Sequence, residues 1–150
     1  MCFFFLSFTL THHHSTLTVP STLQALAEVL QWFSQFKGQY PDEVFWLQCE
    51  IALVEIFTNA VRHAHRDYPE ETPIEILVNL SSDCLRLEIW DQGQSFDLIN
   101  HLQSLPNRIS PDQEGGRGLK IIKEVSDQVS YTRHNDRNCF SMTRYLNHHV

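Results

Sequence analysis

The stretch Ile74-Glu75-Ile76-Leu77-Val78-Asn79-Leu80-Ser81-Ser82-Asp83-Cys84-Leu85-Arg86-Leu87-Glu88-Ile89-Trp90 decides the fold. Apolar residues fall at every second position, Ile74, Ile76, Val78 and Leu80, which is the period of a strand with one buried face. Ser81-Ser82-Asp83 is a turn, and alternation resumes with Leu85, Leu87 and Ile89 inward. Strands joined this tightly run antiparallel, because a parallel pair needs a long crossover. A second hairpin is expected at Val129–Arg133 and Cys139–Tyr145, around Asn135-Asp136-Arg137-Asn138.

Upstream, Ser15–Val19 reads as a short strand ended by Pro20. Ser21 then caps a helix from about Thr22 to Phe36, with Leu23, Leu26, Leu30 and Phe33 on one face. Lys37-Gly38 stops it. A longer helix follows Pro41-Asp42 and runs to about His65. It is apolar nearly all round, with Leu47, Ile51, Val54, Phe57 and Val61 on one side and Leu53, Ala60 and Ala64 on another, and such a helix is expected to be buried. Downstream, Pro106 and Pro111 break the stretch from Asp97 to Glu114, a long aperiodic connection of the kind used as a lid. Leu119–Ser126 closes the pattern as a helix. The order strand, helix, helix, hairpin, lid, helix, hairpin predicts an α+β two-layer α/β sandwich, a mostly antiparallel mixed sheet with helices on one face. No repeat or linker divides it.

Bulk properties bound the function. At 150 residues the chain fits one domain with a good core. A net charge of −7, from 11 Lys+Arg against 18 Asp+Glu, argues against nucleic acid as the main partner. A bound polyphosphate would need backbone amides, a metal and a few local cations. Cys2, Cys49, Cys84 and Cys139 are scattered and form no CxxC pair, so they read as reduced thiols rather than a disulfide or zinc framework. His12-His13-His14 reads as a polar patch or a chance run rather than a metal site. Residues 1–14 form an N-terminal extension of unclear role. Its apolar stretch from Phe3 is about ten residues, too short to span a bilayer, and a poor signal peptide. It is open as an edge strand, a dimer contact or a misassigned start. No other segment approaches a transmembrane run, so no membrane partner and a cytoplasmic setting are expected.

Three polar segments stand out from this scaffold. Glu55 and Asn59 are four apart on the long helix and share a face, which Arg62 and His63 extend. A carboxylate and an amide on an apolar helix are costly if buried unpaired. They form either an exposed edge with intrahelical pairing or a narrow polar seam lining a cavity. In a cavity, an Asn oxygen suits Mg²⁺ where phosphates supply the other oxygens. A Glu can accept a proton from a hydroxyl or water, and Arg62 or His63 can meet phosphate. Asp91 ends a strand and Gly93 lets the chain turn, which is either an ordinary turn or a site where a flat ligand approaches a carboxylate. Gly115, Gly116 and Gly118 are three of five glycines in the chain. They precede a helix N-terminus, as either a hinge or an anion site. The segment is neither a Walker A loop nor a Rossmann fingerprint.

In this order and spacing the segments resemble the boxes of the GHKL ATPase superfamily, whose Bergerat fold is shared by gyrase and histidine kinases. The nearest resemblance is to the anti-sigma-factor serine/threonine kinases of bacteria. Glu55-x-x-x-Asn59-Ala60-x-x-His63 resembles their N box, Asp91-x-Gly93-x-Ser95-Phe96-Asp97 their first glycine box, and Glu114-Gly115-Gly116-x-Gly118-Leu119 their second. Thr143-Arg144-Tyr145-Leu146 resembles the closing strand. The resemblance covers residues 15–147, a histidine-kinase-like ATPase domain.

The resemblance implies ATP and Mg²⁺ as ligands and a role for each matching residue. Glu55 is the implied catalytic carboxylate, Asn59 the Mg²⁺ ligand through ATP phosphates, and Asp91 the acceptor for the adenine amino group beside Gly93 and Thr143. Arg62 lies near phosphate, with His63, Phe96 and Leu119 inside the boxes. Gly115, Gly116 and Gly118 are the lid hinge and phosphate contacts, and the lid spans Asp97–Glu114. Arg117 stands where relatives often carry an apolar residue, as a phosphate contact or a surface charge. The implied activity is phosphorylation of a small anti-sigma-factor antagonist, with a sigma factor or similar regulator bound in the alternative state and a homodimer as the working unit. The alternatives are a switch module that binds ATP or ADP without phosphotransfer and an interaction protein with a degenerate pocket.

Overall fold

The computed structural model describes residues 12–95 and 117–146. Its elements are β1 (His13–Pro20), α1 (Leu26–Phe33), α2 (Glu43–Asn59), β2 (Pro73–Leu80), β3 (Cys84–Asp91), α3 (Arg117–Val125), β4 (Gln128–His134) and β5 (Arg137–Tyr145). The strands form one sheet in the order β1-β2-β3-β5-β4. Every pairing among the described residues is antiparallel, where a mixed sheet was expected. The expected α+β sandwich is therefore present. β1 begins at His13, so part of the expected N-terminal extension is strand.

The decisive hairpin folds as its alternation dictates. Ile74, Ile76, Val78, Leu80, Leu85, Leu87 and Ile89 are all buried on the face that meets the helices. β5 brings Phe140 and Met142 to the same layer. Its Cys139, Ser141 and Thr143 are also buried, on the outer face, where β5 lies between β3 and β4 and has Trp90, Glu88 and Arg86 as register neighbours. The closing turn is shorter than the pattern suggested. His134 pairs with Arg137, leaving Asn135-Asp136 as the loop, and Asn135 takes a φ of 54° that an Asn tolerates.

Helix starts are set by short polar side chains. Thr22, rather than Ser21, caps the first turn by accepting from the Ala25 amide at 3.3 Å. That turn is a 3-10 segment, Leu23–Ala25. The inward set becomes Ala25, Val29, Phe33 and Phe36, and Leu23 stays exposed. Asp42 caps α2 by accepting from the Phe45 amide at 2.9 Å. Beneath the first half of α2 lies an aromatic cluster. Phe33 meets Trp46 at 5.9 Å, Phe45 meets Trp46 at 5.1 Å, and Tyr40 meets Phe45 at 5.2 Å, all edge to face.

The expectation that α2 is buried on all sides is wrong for its outer stripe. Val44 is 63% exposed, Leu47 58% and Ile51 37%. α1 and α3 flank α2 on the sheet, and the stripe lies on the side that none of these elements covers. By length and composition alone, Glu43–Ala64, with mean hydropathy 1.4, is long and apolar enough to cross a bilayer, contrary to the expectation that no segment comes near. Its apolarity is that of the central helix packed on the sheet. Cys49, Cys84 and Cys139 are free thiols, as expected. Burial pushes the Cys49 thiol up to about 12 and the Cys139 thiol up to about 11. Cys2 lies outside the described residues.

Candidate functional site

The strand end at Asp91 is where the sequence pattern and the structure meet most closely. Asp91 is buried and on the helix-facing side of β3. Its Oδ1 accepts from the Gly93 amide at 2.8 Å and from Asn138 Nδ2 at 2.8 Å. Asn138 Nδ2 also lies 3.0 Å from Gly93 O and 3.3 Å from Gln94 O. Arg133 Nη1 donates to Gly93 O at 2.8 Å and to Asn138 Oδ1 at 2.9 Å. Gly93 is required by close approach. A Cβ there would stand 2.6 Å from the carbonyl oxygen of Ala64, a backbone atom with little room to move.

Ala64 reaches that position through an irregular turn. α2 continues into a π turn, Ala60–Ala64, closed by the His65 amide donating to Ala60 O at 2.9 Å. A π turn adds one residue to the helix repeat and is frequent at functional sites. The buried positions Ala52, Ile56 and Ala60 would continue in α geometry to residue 63 or 64. The π turn moves the inward position to His65, which is 3% exposed, while His63 and Arg62 are exposed. His65 Nε2 accepts from the Gln92 amide at 2.8 Å, so the ring proton is on Nδ1, which donates to Ser21 Oγ at 3.0 Å. Burial holds the imidazole below its ordinary value, and the nearby Asp91 charge opposes that shift.

Glu55 and Asn59 are both half-buried on one face of α2, as their spacing required. Glu55 lies against the first turn of α3. A Cβ added to Gly118 would land on Glu55 Oε2 and 2.9 Å from its Cδ. The α2–α3 contact is the broadest helix–helix contact among the described residues. Leu119 packs against the core beside this contact, and Arg117 is exposed.

Three of the expected site residues do not join this group as anticipated. Thr143 does not stand beside Asp91: it pairs with Arg86, five residues down the strand, whereas Asp91 pairs with Asn138. Thr143 also points to the outer face, where it lines a cleft with Arg86, Asp127 and Ser130. Strand alternation is the reason, since it separates position 143 from the inward set Asn138, Phe140 and Met142. Arg62 and His63 are carried outward by the π turn. Phe96, Gly115, Gly116 and the lid from Asp97 to Glu114 lie outside the described residues.

His65, Asn138 and Arg133 were not anticipated. The signal for Asn138 was present, because counting back by twos from Met142 and Phe140 places it inward. No spacing rule announces the π turn that brings in His65.

The donor set suits a nucleotide with a divalent cation. Among the described residues no three His, Cys, Asp or Glu side chains converge on a metal position. A cation here would take Asn59 with oxygens of a ligand, which is the usual habit of Mg²⁺. Asp91 Oδ2 receives no donor from the described residues and is available to an amino group.

Comparison with known proteins shows the family of the domain. Residues 19–144 match the family described as histidine kinase-like ATPase domain. The serine-protein kinase RsbW of Staphylococcus epidermidis is 32% identical over 102 residues, covering 65% of this chain and 64% of the relative. RsbW of Bacillus subtilis is 31% identical over 103 residues, covering 65% and 63%. The match thus spans a little under two thirds of these relatives' length. Two solved structures share the fold. The SiaB–SiaC complex from Pseudomonas aeruginosa superposes with a TM-score of 0.64 at 14% identity, covering 88% of this chain and 89% of that one. The RsbU and RsbW domains of Rv1364c from Mycobacterium tuberculosis give 0.62 at 16% identity, covering 89% and 32%.

Proposed function

The chain belongs to the histidine kinase-like ATPase domain family, and on that premise we propose that it is an ATP-dependent protein serine/threonine kinase of the anti-sigma type. In this reading it binds ATP with Mg²⁺ and phosphorylates a small antagonist protein. It exchanges that partner for a sigma factor or similar regulator. A homodimer and a cytoplasmic setting belong to the same proposal.

The observation that carries this reading is the seating of Glu55 against Gly118. A half-buried carboxylate on an apolar helix needs a reason to be there. Here it faces the N-terminal turn of α3, whose amides and positive dipole end favour an anion. Glu55 is the group that accepts the proton of an incoming Ser or Thr hydroxyl. Asn59, one turn further on, offers its amide oxygen to the cation. Asp91 would hold the amino group of the base, and the amides at the start of α3 would meet the phosphates. Bound Mg-ATP supplies the electrophilic phosphoryl group; the chain supplies orientation, a proton acceptor and a floor of packed apolar residues. Gly118 leaves the room that Glu55 needs, and any larger residue there would displace the carboxylate. The serine-protein kinase names of the relatives support a hydroxyl as acceptor.

The test is label transfer from Mg-ATP, labelled in its terminal phosphate, to a candidate antagonist protein. Glu55→Gln is expected to lower the transfer rate by about 100-fold or more, with nucleotide affinity within a few-fold of wild type. Transfer at the wild-type rate overturns the assignment of Glu55. Nucleotide binding without transfer to any antagonist favours the switch module that acts by partner exchange alone.

A further inference from the structure

We infer that Asn138 and Arg133 determine the base specificity of the Asp91 turn, acting as positioning residues that spend one carboxylate oxygen inside the protein and present the other to the ligand. The inference rests on the reading of Asp91 as the acceptor for a nucleotide base, and it names two residues that none of the sequence boxes contains.

Asp91 Oδ1 receives two hydrogen bonds, from the Gly93 amide and from Asn138 Nδ2, each at 2.8 Å. Oδ2 receives none from the described residues. A carboxylate accepts and does not donate, so Oδ2 favours a ligand N–H and disfavours a carbonyl in the same place. Which oxygen remains open depends on the carboxylate plane, and that plane is fixed by Asn138 together with the Gly93 amide.

Asn138 can do this because its own amide cannot turn over. It is fully buried on β5, directly across from Asp91. An Asn amide flipped end for end would set its oxygen against Asp91 Oδ1 and Gly93 O, placing acceptor against acceptor. Arg133 forbids the flip. A guanidinium only donates, and its Nη1 lies 2.9 Å from Asn138 Oδ1, so that atom must be the oxygen. The same Nη1 donates to Gly93 O at 2.8 Å and so holds the turn itself. The chain of command runs from Arg133 on the edge strand β4, through Asn138 on β5, to Asp91 at the end of β3. On the far side of the turn, His65 holds the Gln92 amide at 2.8 Å, so the loop is gripped on both flanks.

A merely structural role and a specificity role separate in a two-ligand measurement. The probes are ATP and purine riboside triphosphate, which lacks the 6-amino group, each titrated with Mg²⁺ into the full chain. The wild-type protein is expected to prefer ATP. Arg133→Gln, at an exposed side chain, is expected to cut that preference by about three- to tenfold, a fraction of the value of a charge-assisted hydrogen bond. Affinity for the des-amino nucleotide should not change. Asn138→Ala is expected to bring the two affinities close to parity. If Asn138→Ala fails to fold, the Arg133→Gln affinities decide alone. Variants that keep the full wild-type preference, or lose affinity for both nucleotides in parallel, overturn the inference and leave the nucleotide reading standing. Wild-type protein that binds neither nucleotide overturns both.

Discussion

The two halves of α2 do different work, although the sequence paints both as apolar. The first half, from Glu43, sits on the aromatic cluster of Phe33, Phe45, Trp46 and Tyr40 and turns Val44, Leu47 and Ile51 outward. The second half carries Glu55 and Asn59 and ends in the π turn. There, directional contacts are added to the apolar packing: His65 to Gln92 and Ser21, Ala64 to Gly93, Glu55 to Gly118. The first half contributes stability through area removed from water. The second half buries Leu53, Ile56 and Phe57 as well, and adds geometry through hydrogen bonds and close approaches. The difference teaches that a continuous helix can be divided into a foundation and a fixture without any break in its apolar composition.

The comparison is broken most severely at the foundation. Phe33 is fully buried between Phe36 and Trp46. Phe33→Ala is expected to cost about 3–5 kcal/mol of unfolding free energy, measured by denaturant titration. A loss below about 1 kcal/mol would show that the aromatic cluster is not the foundation of the first half.

At the fixture the expected effect is smaller and depends on pH. His65 is held neutral, with its folded value below the ordinary 6.5. The unfolded chain therefore binds the proton more readily, and its contribution to stability is fully present above about pH 6.5. That contribution is lost as pH falls from there through the lowered folded value. His65→Phe is expected to flatten this part of the stability profile relative to wild type, and to cost about 1–3 kcal/mol at neutral pH for the two hydrogen bonds lost. An unchanged acid slope would remove His65 from the grip on the Asp91 turn.

The smallest effect is expected on the outer stripe. Leu47, 58% exposed, has little buried apolar area to lose. Leu47→Gln should change unfolding free energy by less than about 0.5 kcal/mol. A larger loss would mean that the outer stripe shares the load of the aromatic cluster and that the division is wrong.

How much of this was legible depends on which physical rule governed each residue. The sheet was readable because the period of Ile74–Leu80 and Leu85–Ile89 is enforced by burial on one face. The positions of Glu55, Asn59, Asp91, Gly93 and Gly118 followed from helix spacing and turn chemistry. What the pattern could not supply was any departure from regular geometry. A uniform helix repeat pointed to His63, and the π turn selected His65. A resemblance in the closing strand pointed to Thr143, and register against β3 placed Asn138 across from Asp91 instead. The burial expected for Leu47 and Ile51 failed for another reason. Apolar character all round a helix says that some faces are buried, and only the number of neighbouring elements says how many.

The π turn has one further consequence. Five residues, Ala60–Ala64, occupy a place that regular helix would close with four. The segment therefore works as a spacer whose length is the specification: the number of residues, more than their identity, sets which histidine arrives at the Asp91 turn. Substitutions along it leave that arithmetic intact. Inserting one more residue would re-phase the end of the helix by about 100°, carrying His65 away from the Asp91 turn while the hydrophobic composition barely changes.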